Sequence, residues 1–159
     1  MKYFLTPVSL LILLLAGCHT KPKEFTALSF SVESIGIYKF SIEISSDKSY
    51  HIRQQNILFD NFAGRERINA SQGYLTDEEF AGLSGLVARS RLFKMKDTYG
   101  FDEETDSDNP FDEVIYQLTY TQGKKTKYIS LRSNSTDLYS EYFLDLLRFL
   151  SNYISDHSS

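Results

Sequence analysis

Tyr38-Lys39-Phe40-Ser41-Ile42-Glu43-Ile44 alternates apolar and polar residues without a break. A period of two sustained over this length predicts a half-buried β-strand. Ser45-Ser46-Asp47-Lys48 supplies turn residues, and Tyr50-His51-Ile52-Arg53 resumes the alternation, so the two runs read as an antiparallel hairpin. Upstream, Leu28, Phe30 and Val32 alternate with Ser29 and Ser31 as another strand. Downstream, residues 56–75 are less regular. Ile57, Phe59 and Phe62 suggest a further short strand, while Gly64, Asn69 and Gly73 interrupt it.

Beyond this region the period changes. Thr76-Asp77-Glu78-Glu79 has capping-box spacing, and Phe80, Leu83, Leu86 and Val87 follow at helical intervals with Arg89 and Arg91 at the far end, predicting a helix over about 77–91. Val114, Tyr116, Leu118 and Tyr120 then alternate with Gln117 and Thr119. Gln122-Gly123-Lys124 turns the chain, and Tyr128-Ile129-Ser130-Leu131 returns as the second hairpin. Asn134-Ser135-Thr136-Asp137 offers caps for a last helix with Leu138, Tyr142, Leu146, Phe149, Leu150 and Tyr153 on one stripe. The order strands, helix, strands, helix predicts the α+β class, an antiparallel sheet from two hairpins with two helices packed on one face.

The 159 residues suit one domain with one core. Seventeen Lys+Arg against twenty-one Asp+Glu give a net charge of −4, which argues against a nucleic-acid-binding face. One Cys excludes an intramolecular disulfide and any Cys-pair site. That Cys closes a leader-like segment, in which Lys2 precedes an apolar run from Val8 to Leu15 that is shorter than the roughly 20 residues of a spanning helix. Leu15-Ala16-Gly17-Cys18 resembles the bacterial lipobox recognised by lipoprotein signal peptidase. The resemblance implies diacylglycerol on the Cys18 thiol, cleavage between Gly17 and Cys18, and N-acylation of the new terminus. Two or three acyl chains anchor stably, each buried CH₂ contributing about 0.8 kcal/mol.

The expected organisation is then a cleaved leader (1–17), a lipidated Cys and polar tether (18–24), one domain (25–155) and a frayed tail (156–159). Loss of Lys2 with the leader takes the charge to −5. His19 follows Cys18 where an Asp would resemble an inner-membrane retention signal. The expected location is therefore the outer membrane, facing the periplasm, with the inner membrane or cell surface as alternatives.

Chemistry is sparse. His19, His51 and His157 fall in the tether, the polar phase of a strand and the tail, so they share no metal-ligand spacing. Gly82-Leu83-Ser84-Gly85 departs from the Gly-x-Ser-x-Gly elbow and lies inside a helix; its glycines either permit close packing or weaken the helix. No phosphate-cradling glycine motif occurs. Asn69-Ala70-Ser71 and Asn134-Ser135-Thr136 match glycosylation sequons of little consequence in a bacterial envelope. The stretch 97–113 is an acidic loop whose Asp106-Ser107-Asp108 spaces two carboxylates as calcium loops do. Phe111 and Gln117 stand where an EF-hand needs Gly and Glu, which makes Asp106 and Asp108 weak candidates. Tyr116, Tyr120 and Tyr128 read either as sheet-face core or as an exposed binding surface.

The layout also resembles a family of small bacterial lipoprotein domains without assigned function, domain of unknown function family 6438. The matching stretches are Tyr38-Lys39-Phe40-Ser41-Ile42 with the Asp47 turn and Tyr50, Leu75-Thr76-Asp77-Glu78-Glu79-Phe80, and Thr105-Asp106 with Pro110. The family implies a Cys-x-x-Cys-Pro-like segment before the first hairpin. Here that place holds Ser34-Ile35-Gly36-Ile37-Tyr38, so no redox or metal role carries over.

The leading expectation is a non-enzymatic lipoprotein, held to the membrane through lipid on Cys18 and acting on a protein partner as an immunity, inhibitor or envelope-accessory protein. It has no catalytic residues, cofactor or nucleic-acid partner. The alternative is a ligand- or calcium-binding module, and a third is a hydrolase assembled from dispersed Asp, Ser and His.

Overall fold

The computed structural model describes residues 26–64, 67–101 and 113–158. The chain is α+β, and the described residues form seven strands in one mixed sheet and three helices. In chain order the elements are β1 (Ala27–Ser34), β2 (Tyr38–Ser45), β3 (Ser49–Gln55), α1 (Ile57–Ala63), β4 (Ile68–Tyr74), α2 (Asp77–Ser90), a 3₁₀ turn (Leu92–Lys94), β5 (Thr98–Tyr99), β6 (Val114–Gln122), β7 (Lys125–Arg132) and α3 (Glu141–His157). The sheet order is β4-β3-β2-β1-β6-β7-β5, antiparallel except for the short β5–β7 pair.

The register follows from the alternation. Leu28 stands between Ile44 and Tyr120, Phe30 between Ile42 and Leu118, and Val32 between Phe40 and Tyr116. Residues directly opposite share a face, so one face is apolar and the other carries Ser29, Ser31, Ser41, Gln117 and Thr119. Leu83 and Val87 of α2 and Phe143, Leu146, Leu150 and Ile154 of α3 join the apolar face in one buried cluster. Full burial of a side chain such as Phe30 or Phe143 stabilises by about 1.5–3 kcal/mol.

Both arms of the capping box on α2 form, with the Thr76 hydroxyl accepting from the Glu79 N–H and the Glu79 carboxylate accepting from the Thr76 N–H. Gly73 on β4 is required by close approach, since a Cβ there would lie 2.8 Å from the Tyr50 hydroxyl oxygen. Tyr50 in turn packs edge-on against Tyr153, 5.2 Å between centroids.

Two hairpins with two helices therefore understate the molecule. β1 forms a bridge between the two hairpins by pairing with both β2 and β6, and β4 and β5 extend the edges. The short strand expected at Ile57, Phe59 and Phe62 is helix α1. The Asn56 side chain accepts a hydrogen bond from the Phe59 N–H at 3.0 Å and starts it, and the Gly64 N–H bonds Asp60 O and ends it. The strand comes later, at β4.

The cap of α3 is Ser140, not the Asn134–Asp137 segment. There the Asp137 N–H donates to the Ser135 hydroxyl, and Lys96 pairs with Asp137, closing a turn of its own. Leu138 consequently precedes the helix and is 98% exposed. The helix also continues past the expected domain end at 155, because the His157 ring stacks on Tyr153 at 4.1 Å and holds the last turn.

Candidate functional site

Gly17 and Cys18 lie outside the described residues, as do Asp106 and Asp108. Among the described residues no three His, Cys, Asp or Glu side chains gather as metal ligands, and no helix is long and apolar enough to cross a membrane. His51 is exposed on the polar sheet face. Gly82 and Gly85 do not serve close packing, since a Cβ at Gly82 would meet nothing within 4 Å and one at Gly85 only the end of Arg89. The three tyrosines divide. Tyr120 is core, Tyr116 is half-buried, and Tyr128 is 65% exposed on the opposite face, because its register partner is Thr119 rather than Leu118.

The two flanks of the acidic stretch are tied to β7. Asp97 pairs with Lys127, whose ammonium also donates to Met95 O at 2.6 Å. Glu113 Oε1 lies 2.7 Å from Arg132 Nε, and the Arg132 guanidinium sits 4.5 Å over the Phe101 ring. These flanking acids are therefore structural counter-ions.

The apolar face is not covered along its whole length. Where β1 ends and β2 and β6 begin, Val32, Phe40 and Tyr116 remain half-buried. They floor a cleft of about 460 Å³ walled by the last turns of α3 through Ser151, Ile154, Ser155 and Ser158. Tyr38, Phe40 and Gln54 continue into a second hollow of about 350 Å³ closed by Phe59 and Asp60 of α1 and by Arg67 and Asn69. Volumes of this size suit recognition of a small group, and the second hollow mixes aromatic rings with the polar side chains of Gln54, Gln55, Asn56, Asp60, Arg67 and Asn69. Asp60 was not marked by the sequence, where it is a lone acid within Ile57-Leu58-Phe59-Asp60-Asn61-Phe62. It is only 7% exposed, and its Oδ2 has no hydrogen-bond partner among the described residues.

On α3, the Tyr153 hydroxyl is pushed up to about 12, chiefly by burial, with Glu79's charge and Tyr50 adding to it. This hydroxyl keeps its proton well above neutral pH and serves packing.

Beside the second hollow runs β4, the outermost strand on its side of the sheet. Its sequence Ile68-Asn69-Ala70-Ser71-Gln72-Gly73-Tyr74 contains no charge and no Pro. Large apolar side chains are exposed at both of its ends, Tyr74 at one and Ile68 at the other, and Leu58, Phe59 and Phe62 are exposed on α1, the last 83%.

No protein-family model matches the chain, and no curated protein matches it.

Proposed function

We propose that this chain is a lipid-anchored envelope protein, attached through Cys18 to the outer membrane on its periplasmic side, whose domain acts by binding another protein. An inhibitor, immunity or assembly-accessory role fits such a binder. Leu15-Ala16-Gly17-Cys18 at the end of a short apolar run supports the anchor, and His19 supports the outer-membrane placement. The mode of action rests on one observation, the edge strand β4. Natural edges carry Lys, Pro or bulges that block pairing with foreign strands. β4 carries neither charge nor Pro over seven residues, is exposed along most of its length, and has an exposed apolar side chain at each end. Backbone N–H and C=O groups along such an edge accept an added strand, and the apolar neighbours supply its side-chain contacts.

Membrane fractionation of Cys18→Ser tests the anchor, with accumulation of unprocessed precursor as the expected result. Maturation to the parental size with continued membrane attachment would sink that part. A photo-crosslinker at Gln72 of the full chain, in intact cells, tests the edge. A discrete adduct is expected that Ala70→Lys abolishes and Thr119→Lys, in the middle of the same polar face, leaves in place. Absence of an adduct, or equal loss in both variants, refutes the edge as the contact.

A further inference from the structure

Asp60 occupies a position that folding does not explain. It lies in the first turn of a seven-residue helix whose cap is Asn56, where the backbone dipole favours an acid but does not require one to be buried. Its Oδ2 is buried without a hydrogen-bond partner among the described residues, an arrangement that destabilises unless something else supplies the donor. Asp60 lines a hollow of about 350 Å³ together with the Tyr38, Phe40 and Phe59 rings, the side-chain amides of Gln54, Gln55, Asn56 and Asn69, and Arg67 at its rim.

A metal ion is a poor match, because hard cations need several oxygen ligands and the hollow holds a single acidic side chain. An anion is opposed by that acid. An organic cation is matched twice over, by the carboxylate and by the ring faces, which attract positive charge. Phe59 already accepts such a group, since the Arg67 guanidinium lies 5.6 Å above its ring.

We propose that this hollow binds an alkyl ammonium or alkyl guanidinium group, with its N–H donors on Asp60 Oδ2 and its stem against Tyr38 and Phe40. The group comes either from a free amine or guanidine or from a basic side chain of a bound protein. In both cases the recognised chemistry is the same. The site does not depend on strand addition at β4, and loss of the Gln72 crosslink would leave it standing.

The test is calorimetric titration of the full-length protein with butylguanidinium, with butylurea as the uncharged isostere, and with a capped Gly-Arg-Gly peptide. Butylguanidinium is expected to bind at least about tenfold more tightly than butylurea, and Asp60→Asn is expected to remove that preference. Tighter binding of the peptide than of butylguanidinium identifies a protein side chain as the source, and equal or weaker binding identifies a free cation. Thermal melting supplies a second readout. Asp60→Asn removes an unpartnered buried acid, so it is expected to melt at or above the parental temperature. A destabilised or unfolded Asp60→Asn protein would show that Asp60 has a structural partner, overturning the proposal. So would failure of both cationic probes to bind, or equal binding to parent and variant.

Discussion

Helices α3 and α1 solve opposite problems with similar residues. In α3, Phe143, Leu146, Leu150 and Ile154 face the sheet and are buried, while Glu141, Asp145 and Arg148 face out. In α1 the pattern is inverted, for Asp60 is buried while Leu58, Phe59 and Phe62 are exposed. Burial of apolar surface drives folding and burial of an unpartnered acid opposes it. The first helix is thus accounted for by the stability of the domain, whereas the second is the one at which we propose that something binds.

Removal of a large ring from each helix breaks the comparison most directly. Phe143→Ala should lower unfolding stability by about 3–5 kcal/mol, read as a drop in the urea midpoint. Phe62→Ala should stay within about 0.5 kcal/mol of the parent. Equal losses would mean that α1 is part of the core after all.

The next effect lies on the covered side, where Gly100 has φ +74 and a Cβ would lie 2.7 Å from Ser135 Cβ. Gly100→Ala must meet both the backbone strain and the clash, about 2–4 kcal/mol together, measured by the same unfolding titration. A neutral result would show that the turn before α3 yields easily.

The smallest effect concerns caps. Thr76→Ala should destabilise by about 1 kcal/mol, and Asn56→Ala at the start of α1 by less. The Thr76 backbone N–H, with its hydroxyl, holds the Glu79 carboxyl below its ordinary value of 4.5. A depressed carboxyl contributes stability above its unfolded pKa and loses it as pH falls through the lower folded value. The parent should therefore lose stability below about pH 4.5 more steeply than Thr76→Ala, which lacks the hydroxyl arm. Parallel acid limbs would mean that the capping box contributes nothing there.

Where one face of an element is buried, the sequence records it. The alternations of β1, β2, β3, β6 and β7 and the capping box at Thr76 could all be read directly, because packing selects the residues on those faces. β4 escaped because it is exposed along most of its length, so its residues show no apolar period. α1 escaped because Ile57 and Phe59 mimic a period of two and its inward residue is Asp60. Ser140 lost to Asn134–Asp137 as the expected cap because a turn and a cap draw on the same residue types. Asp60 could not be found from a single acid in an apolar run, since nothing local distinguishes a buried one from an exposed one. The anchor proposed at Cys18 is the reverse case, resting on a motif in the sequence alone.

The place where β1 starts has a further consequence for geometry. Ala27 lies at the end of the sheet formed by Ser45 and Thr121, beside the two hairpin turns, while Ser34 lies at the opposite end with Tyr38 and Val114. Eight residues lie between Cys18 and Ala27, nine steps along the chain that span at most roughly 30 Å when extended. With lipid on Cys18 the hairpin turns would stay close to the bilayer. The cleft, α1 and Asp60 belong to the other end of the strands, so the surface that departs from the rules of folding would be the one held out toward the aqueous compartment.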